Sequence, residues 1–484
     1  SGPAAAAAAQ RVLASMWEAI EAGDLLRAEV EAAYCMSVPR AAGKRDPAEI
    51  ETFISTVLVD EAVRRRSPEA AALLRLLMAL GTPATRRVAR EALAELTGAG
   101  AYPPEWVTGI GKATPVEAWR RYDVFGDDEA FAVTYRYGEA EHAIVVQIDR
   151  TGIPMASAIG VSANAATVIE AISSSDKDFE QSEQISLGEA RRRLQGPLER
   201  PDYDAYQDLS TDSAAYLPIA RSRVRRLPAA DGEPAPVYTA ADRAAAVDDF
   251  MKSPLAAEAA AADEESTRFW AEVLTGYSGR FPGGEPPEQV GPRKLAHILL
   301  GHVPNTFVLS PAQQAQLEPA ATAWVRWSAS RRNLDEAATD VLLDQLPRIL
   351  SRFDAAYNDP DAVAIRGYVA DLSASDADMA ALSRVVGRRM FAVPLPDEAP
   401  SDIGEPQGRR ALIEAEFGAC NPPPGMTREQ FLDAATQVVE ELWRSEGDTF
   451  AAAERMFGEG VDRHEIIHRL AGSPVETMGS SIIR

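Results

Sequence analysis

The sequence predicts a mainly α-helical protein in which multi-helix bundles accompany a small α+β domain with an antiparallel sheet, inserted after the N-terminal helices. Three observations predict it. Apolar residues recur at helical spacing over residues 10 to 99 and again through most of residues 240 to 484. Between these regions "AFAVTYRYG" and "HAIVVQIDRTG" change to alternation, with Phe131, Val133, Tyr135 and Tyr137 and then Ile144, Val146 and Ile148 on one face. Segments rich in proline, glycine and acids interrupt the pattern at "GPLERPDYDAYQDLSTD", "RLPAADGEPAPVYT", "RFPGGEPPEQVGP" and "PLPDEAPSDIGEPQG". The expected organisation is a helical bundle over 1–100, an α+β domain over 104–200 and a helical region with acidic loops over 240–484.

Each element has a local reason. "QRVLASMWEAIEAGDLLRAEVEAAYC" places Val12, Met16, Ile20, Leu25 and Val30 along one helical stretch. Asp46-Pro47 offers an N-cap and a first-turn proline to the next helix, and "PEAAALLRLLMALG" ends on Gly81, where a left-handed cap suits glycine. The hairpin turns through "GEAE", and "IPMASAIGV" extends it after Thr151-Gly152. Helices at "NAATVIEAI" and "LGEARRRLQ" are expected on one face of that sheet. Further helices are expected over 240–276, 292–302, 311–331 and 334–357, followed by a tail built from "MTREQFLDAATQVVEELWRS", "TFAAAERMFGEG" and "DRHEIIHRLAG". No fixed period recurs, which argues against a regular solenoid.

Composition narrows the function classes. The 484 residues hold 46% hydrophobic side chains, enough for real cores. With 49 Lys plus Arg against 73 Asp plus Glu, the net charge is −24, so nucleic acid and membrane partners are disfavoured. The basic runs Arg64 to Arg66, Arg191 to Arg193 and "RSRVRR" (221–226) read as solvated helix faces. Cys35 and Cys420, the two cysteines, are far apart in sequence and support neither a disulfide framework nor a thiolate zinc site, which fits a cytoplasmic protein. The opening "SGPAAAAAAQR" reads as a cloning remnant followed by an alanine tract, without the features of a secretory signal.

The strongest chemical motif is His464-Glu465-x-x-His468. A helix with this spacing presents two imidazoles on one face to zinc, with the glutamate beside them to deprotonate a bound water. Four features of context favour a structural reading. Arg463 and Arg469 charge the flanks. No histidine follows His468, and Glu476 is the sole acid downstream, so a third ligand must come from His142, His297, His302 or a distant carboxylate. Asp462 and Glu465 have the spacing of a capping box, which engages Glu465 with backbone amides. Ile466, Ile467, Leu470 and Ala471 form the apolar arc, with both histidines on its flank and Pro474 ending the helix.

Other motifs are weaker. "TGIGKAT" (108–114) has the glycine and lysine of a phosphate loop but Trp106 and Ala113 where Walker A requires Gly and Ser/Thr. "TGYSGR" (275–280) lacks nucleophile-elbow spacing, and "SSDK" (174–177) is a Ser-x-x-Lys in polar surroundings. His297 and His302, five apart, do not share an α-helical face, and His302 reads as a loop residue after Gly301. Glu141, His142 and Asp149 read as polar residues lining an exposed strand face, and Trp324 and Trp327 as core.

The stretches "QLEPAATAWVRWSASRRNL", "RRMFAVPLP" with "RRALIEAEF", and "ELWRSEGDTFAAAERMFGEGVDRHEIIHRLAG" together resemble a group of actinobacterial proteins of unknown function with a DUF1841-like helical C-terminal module. The resemblance covers about residues 290 to 484 and implies no activity. It implies a second helix with an HxxxHE pattern, where this chain has "REQFLDAATQVVEELW" without histidine, so a metal shared between two such helices would lose half its ligands. The resulting expectation is a non-catalytic interaction or scaffold protein of the bacterial cytoplasm, with a protein partner and no cofactor. The alternative is a zinc-dependent hydrolase with His464 and His468 as ligands and Glu465 as base.

Overall fold

The computed structural model describes residues 14–41, 53–152, 154–174, 178–199, 209–230, 236, 238–278, 285–369, 379–393, 403–458, 461 and 463–472. The protein is mainly α-helical, with one five-stranded antiparallel sheet following the N-terminal helices. It divides into two compact units. One comprises Ser1–Val237, Phe281–Glu285 and Gln289–Gly291; the other comprises Tyr238–Arg280, Pro286–Glu288 and Pro292–Arg484.

In the first unit the opening helical stretch is two helices, α1 (14–22) and α2 (Leu25–Ala41). Gly23 separates them at φ +71°, a conformation that side chains resist, and Asp24 then caps α2 by accepting from the Arg27 amide at 3.0 Å. Val12 and Asp46-Pro47 lie outside the described residues. A π-helical segment, Ile54–Val59, runs into α3 (Asp60–Arg65). Next come α4 (Pro68–Leu80) and α5 (Pro83–Gly98), each started by a hydroxyl cap, Ser67 or Thr82, with proline in the first turn. Gly81 is extended (φ −70°, ψ 168°) rather than left-handed. Crowding requires the glycine: a Cβ there would lie 2.5 Å from Thr85 Cγ2 and 2.6 Å from the Leu77 carbonyl oxygen.

The sheet contains β1 (Thr114–Asp123), β2 (Asp128–Tyr137), β3 (Ala140–Asp149), β4 (Met155–Ser162) and β5 (Glu180–Ile185), in the order β4-β3-β2-β1-β5. Strands β2 and β3 form where alternation is read and β4 where the hairpin is extended, whereas "TPVEAWRRYD" and "EQSEQI" of β1 and β5 carry little apolar signal. Helices cover both sheet faces, not one. Phe131, Val133, Tyr135, Ile144, Val146 and Ile148 join a core with the N-terminal helices, α7 (Leu187–Glu199) and α8 (Thr211–Val224). On the opposite face lies α6 (Ala165–Ser173), where Arg121 donates to the Ala171 carbonyl at 3.3 Å and Ser182 to that of Ile172 at 2.7 Å. The physical sign is the run Phe131 to Tyr135, buried at every position, which a sheet solvated on one side would not show.

Two buried charge networks tie this unit together. Glu29 of α2 and Arg223 of α8 form an ion pair with no exposed surface. Glu29 Oε1 also accepts from Tyr137 Oη at 2.8 Å and from the Gly111 amide at 3.1 Å, while Arg223 Nε donates to His142 Nε2 at 3.0 Å. His142 is therefore not on an exposed face: it shares strand parity with Ile144 and stacks between Tyr135 and Tyr137 at 5.8 and 5.4 Å. Burial, helped by the Arg223 charge, pushes its pKa down to about 3, so the ring stays neutral and accepts. In the second network Glu129 takes bonds from Arg120, from Arg150 at 3.0 Å and from Arg193 at 3.1 Å. Burial opposes its charge, but the three guanidiniums outweigh burial and hold the carboxyl below its ordinary range. Arg193 and Arg223 thus depart from the solvated role expected of the basic runs.

The second unit begins with α9 (Ala240–Met251), α10 (Pro254–Ala260), α11 (Glu264–Ser278) and α12 (Pro292–His297). A π-helical turn, Ile298–His302, leads into α13 (Val303–Thr306), α14 (Pro311–Arg331), α15 (Glu336–Tyr357) and α16 (Pro360–Val369). Trp324 and Trp327 pack on Phe250 at 5.0 and 5.6 Å, as core residues. Finally α17 (Met379–Ala392), α18 (Pro406–Phe417), α19 (Arg428–Arg444), α20 (Asp448–Gly458) and α21 (Arg463–Gly472) surround a core that includes Phe417, Phe431 and Trp443. Among the described residues no helix is long and apolar enough to cross a membrane.

Removing one member of the Glu29–Arg223 pair, as in Glu29→Gln or Arg223→Met, should lower unfolding free energy by about 3–5 kcal/mol in urea titrations, because the remaining charge stays buried. The low pKa of His142 gives a second expectation. Its unfolded form binds a proton below about 6.5, the folded form only near 3, so acidification between those values removes stability. His142→Gln should flatten that part of the stability–pH curve.

Candidate functional site

Helix α21 presents the HExxH motif as a wedge. Ile466, Ile467, Leu470 and Ala471 are buried, and His464 and His468 stand partly exposed on the flank, as their spacing implies. The expected N-cap, Asp462, and the downstream Pro474 and Glu476 lie outside the described residues. Glu465 accepts from Arg469 Nε at 2.7 Å. The polar atoms of the two histidines turn toward the end of α18 and the loop after it.

His464 is held on three sides. Its ring stacks on Phe417 with centroids 4.4 Å apart and planes 9° from parallel. Nδ1 lies 3.1 Å from Glu416 Oε1, and Nε2 lies 3.4 Å from Cys420 Sγ. Nδ1 thus faces the acid and Nε2 the thiol, whose Sγ also lies 3.9 Å from the Glu416 carbonyl oxygen. Arg463 fixes the acid, donating to Glu416 at 2.6 Å and to the Phe391 and Ala392 carbonyls at 2.6 Å each. His468 Nε2 is 3.1 Å from the Asn421 carbonyl oxygen, and a Cβ on Gly472 would meet Pro423 at 2.9 Å. Sequence reasoning reached His464 but missed Glu416 and Cys420; the available signal was an acid and a cysteine four apart at a helix end. Among the described residues no group of three or more His, Cys, Asp and Glu is placed to hold a metal ion.

The remaining sequence candidates do not converge on this helix's motif. Glu141 pairs with Arg136, and Asp149 accepts from Thr151 Oγ1 at 2.6 Å. His302 is helical rather than a loop residue. The π-turn places residues five apart on one side, so His297 and His302 both pack on Tyr277, at 5.6 and 4.8 Å. Of "SSDK" only Ser174 is described, and Gly279 and Arg280 of "TGYSGR" also lie outside the described residues.

A second candidate lies in the first unit. A cleft of about 540 Å³ is lined by Arg75, Arg86, Lys112, Arg225 and Arg226, with Glu105 its single acid. Met78, Ala79, Val107 and Ile110 add apolar lining. Two sequence features meet here: Thr108, Gly111 and Lys112 come from "TGIGKAT", and Ser222, Arg225 and Arg226 from "RSRVRR". The Glu29–Arg223 network fixes both, since Glu29 binds the Gly111 amide and Arg223 adjoins Ser222 in α8. No protein-family model matches the chain, and neither a curated protein nor a solved structure matches it significantly.

As a packing element, His464 should be replaceable at modest cost. His464→Ala is expected to lose about 1–2 kcal/mol of stability through the Phe417 stack and the Glu416 bond. Elemental analysis of purified protein gives the contrary outcome: zinc at one equivalent per chain, lost in His464→Ala, would make the ring a metal ligand.

Proposed function

We propose that this chain is a non-catalytic binding protein of the cytoplasm whose N-terminal unit holds a small anionic ligand in the basic cleft. The carrying observation is the concentration of charge. Five cations and one acid line a single cleft in a chain of net charge −24. Its volume falls in the range of roughly 300–1,000 Å³ usual for small-molecule sites. Four of the cations are guanidiniums, whose forked donors suit phosphate and carboxylate, and the apolar lining suits a carbon skeleton attached to them. Within this reading the protein partner expected from the sequence is what senses the occupied cleft. The DUF1841-like stretch supplies α21 as a packing element. The zinc-hydrolase alternative would use His464, His468 and Glu465, which here partner Glu416, the Asn421 carbonyl and Arg469.

Calorimetric titration with pyrophosphate and with ATP tests the proposal. One saturable site per chain is expected, weakened at least tenfold in Lys112→Gln/Arg226→Gln and weakened further by added salt. Titrations that do not saturate, or that the double variant leaves unchanged, would remove the cleft as the site.

A further inference from the structure

Independently of the cleft, we infer that Cys420 is an imidazole-assisted thiol that undergoes exchange with small disulfides. Three groups stand in the order nucleophile, base and orienting acid: Cys420 Sγ, His464 Nε2 at 3.4 Å, and Glu416 Oε1 at 3.1 Å from the other ring nitrogen. The ring cannot easily turn away. Phe417 stacks on its face, and Arg463 anchors Glu416 while bonded to two carbonyls at the end of α17. The charged groups facing the imidazole are Glu416 and Arg463, whereas Glu465 and Arg469 on its own helix pair with each other.

Accessibility separates the two thiols of the chain. Cys420 is partly exposed and His464 has 44% of its side chain open to solvent. Cys35 is 2% exposed, and burial pushes its thiol up to about 12, making it an internal control.

Disulfide exchange suits this set because it needs a thiolate and a proton donor for the departing sulfur. Acyl transfer needs oxyanion donors as well. In the step, His464 Nε2 takes the Sγ proton and the Cys420 thiolate attacks one sulfur of RS–SR. The S–S bond breaks, a Cys420–S–SR bond forms, and the released RS⁻ takes the proton from the imidazolium to leave as RSH. No net oxidant beyond the small disulfide is required.

The test uses the full folded chain and 4,4′-dithiodipyridine, an uncharged disulfide. One equivalent of thiopyridone should be released quickly, with the adduct located on Cys420 by peptide mass spectrometry, and faster than the same thiol reacts in the urea-unfolded chain. His464→Ala should slow the reaction at pH 7 at least tenfold, with recovery on adding imidazole, and the two rates should converge above about pH 9.5, where a thiol ionises unaided. Glu416→Gln, which keeps the side chain's shape, should give an intermediate rate. A Cys420 rate no greater than in the unfolded chain overturns the inference, as does an unchanged rate in both variants.

Discussion

The buried Glu29–Arg223 ion pair is the interaction on which the first unit depends. Neither side chain has any exposed surface, so both charges have lost their water and must be compensated within the protein. The compensation comes from separate parts of the chain: Tyr137 and Gly111 bond the carboxylate, and His142 accepts from the guanidinium. Helix α2, helix α8, the β2-β3 hairpin and the loop before β1 are thereby held to one another. The neutrality of His142 belongs to the same arrangement. A proton on that ring would place a second positive charge against Arg223 and remove an acceptor.

The second unit uses guanidinium groups in a related way, directing them at backbone carbonyls of helix ends and of the turn before α18. Arg409 binds Glu440 through two bonds of 2.6 and 2.8 Å, donates to the Ile403 and Gly404 carbonyls and lies 4.4 Å above the Trp443 ring. Arg389 reaches the Trp443 carbonyl and stands 4.7 Å from the same ring. Arg463 does this for the end of α17. A forked, permanently charged donor satisfies several orphan carbonyls at once and covers an aromatic face, which a lysine at the same place would not do.

What the sequence revealed follows from the range of each interaction. The hairpin of β2 and β3 and the Trp324–Trp327 pair carry their signal in near neighbours, and the structure has them as read. Strands β1 and β5 were not legible because "TPVEAWRRYD" and "EQSEQI" owe their pairing to the strand beside them. Gly81 was recognised as a helix end but assigned the wrong reason, since crowding by Thr85 appears only once α5 folds back. His142 was more legible than it was taken to be: its parity with Ile144 points inward. The HExxH spacing was real but insufficient, because its meaning depended on Glu416 and Cys420, which lie 44 residues or more away.

The basic cleft shows how two weak motifs acquire meaning together. "TGIGKAT" fails the Walker A pattern and "RSRVRR" reads as a charged helix face, yet folding brings Lys112 beside Arg225 and Arg226. Under the proposed function, the overall charge would sharpen the selectivity of this cleft. In that proposal a short anion meets all five cations within the one cleft. A long polyanion would have to extend past them along a chain whose net charge is −24, and each added phosphate beyond the cleft would meet an average surface of its own sign. In the proposed reading, the acidic composition read in the sequence as disfavouring nucleic acid is also a reason for the basic cleft to take a small ligand.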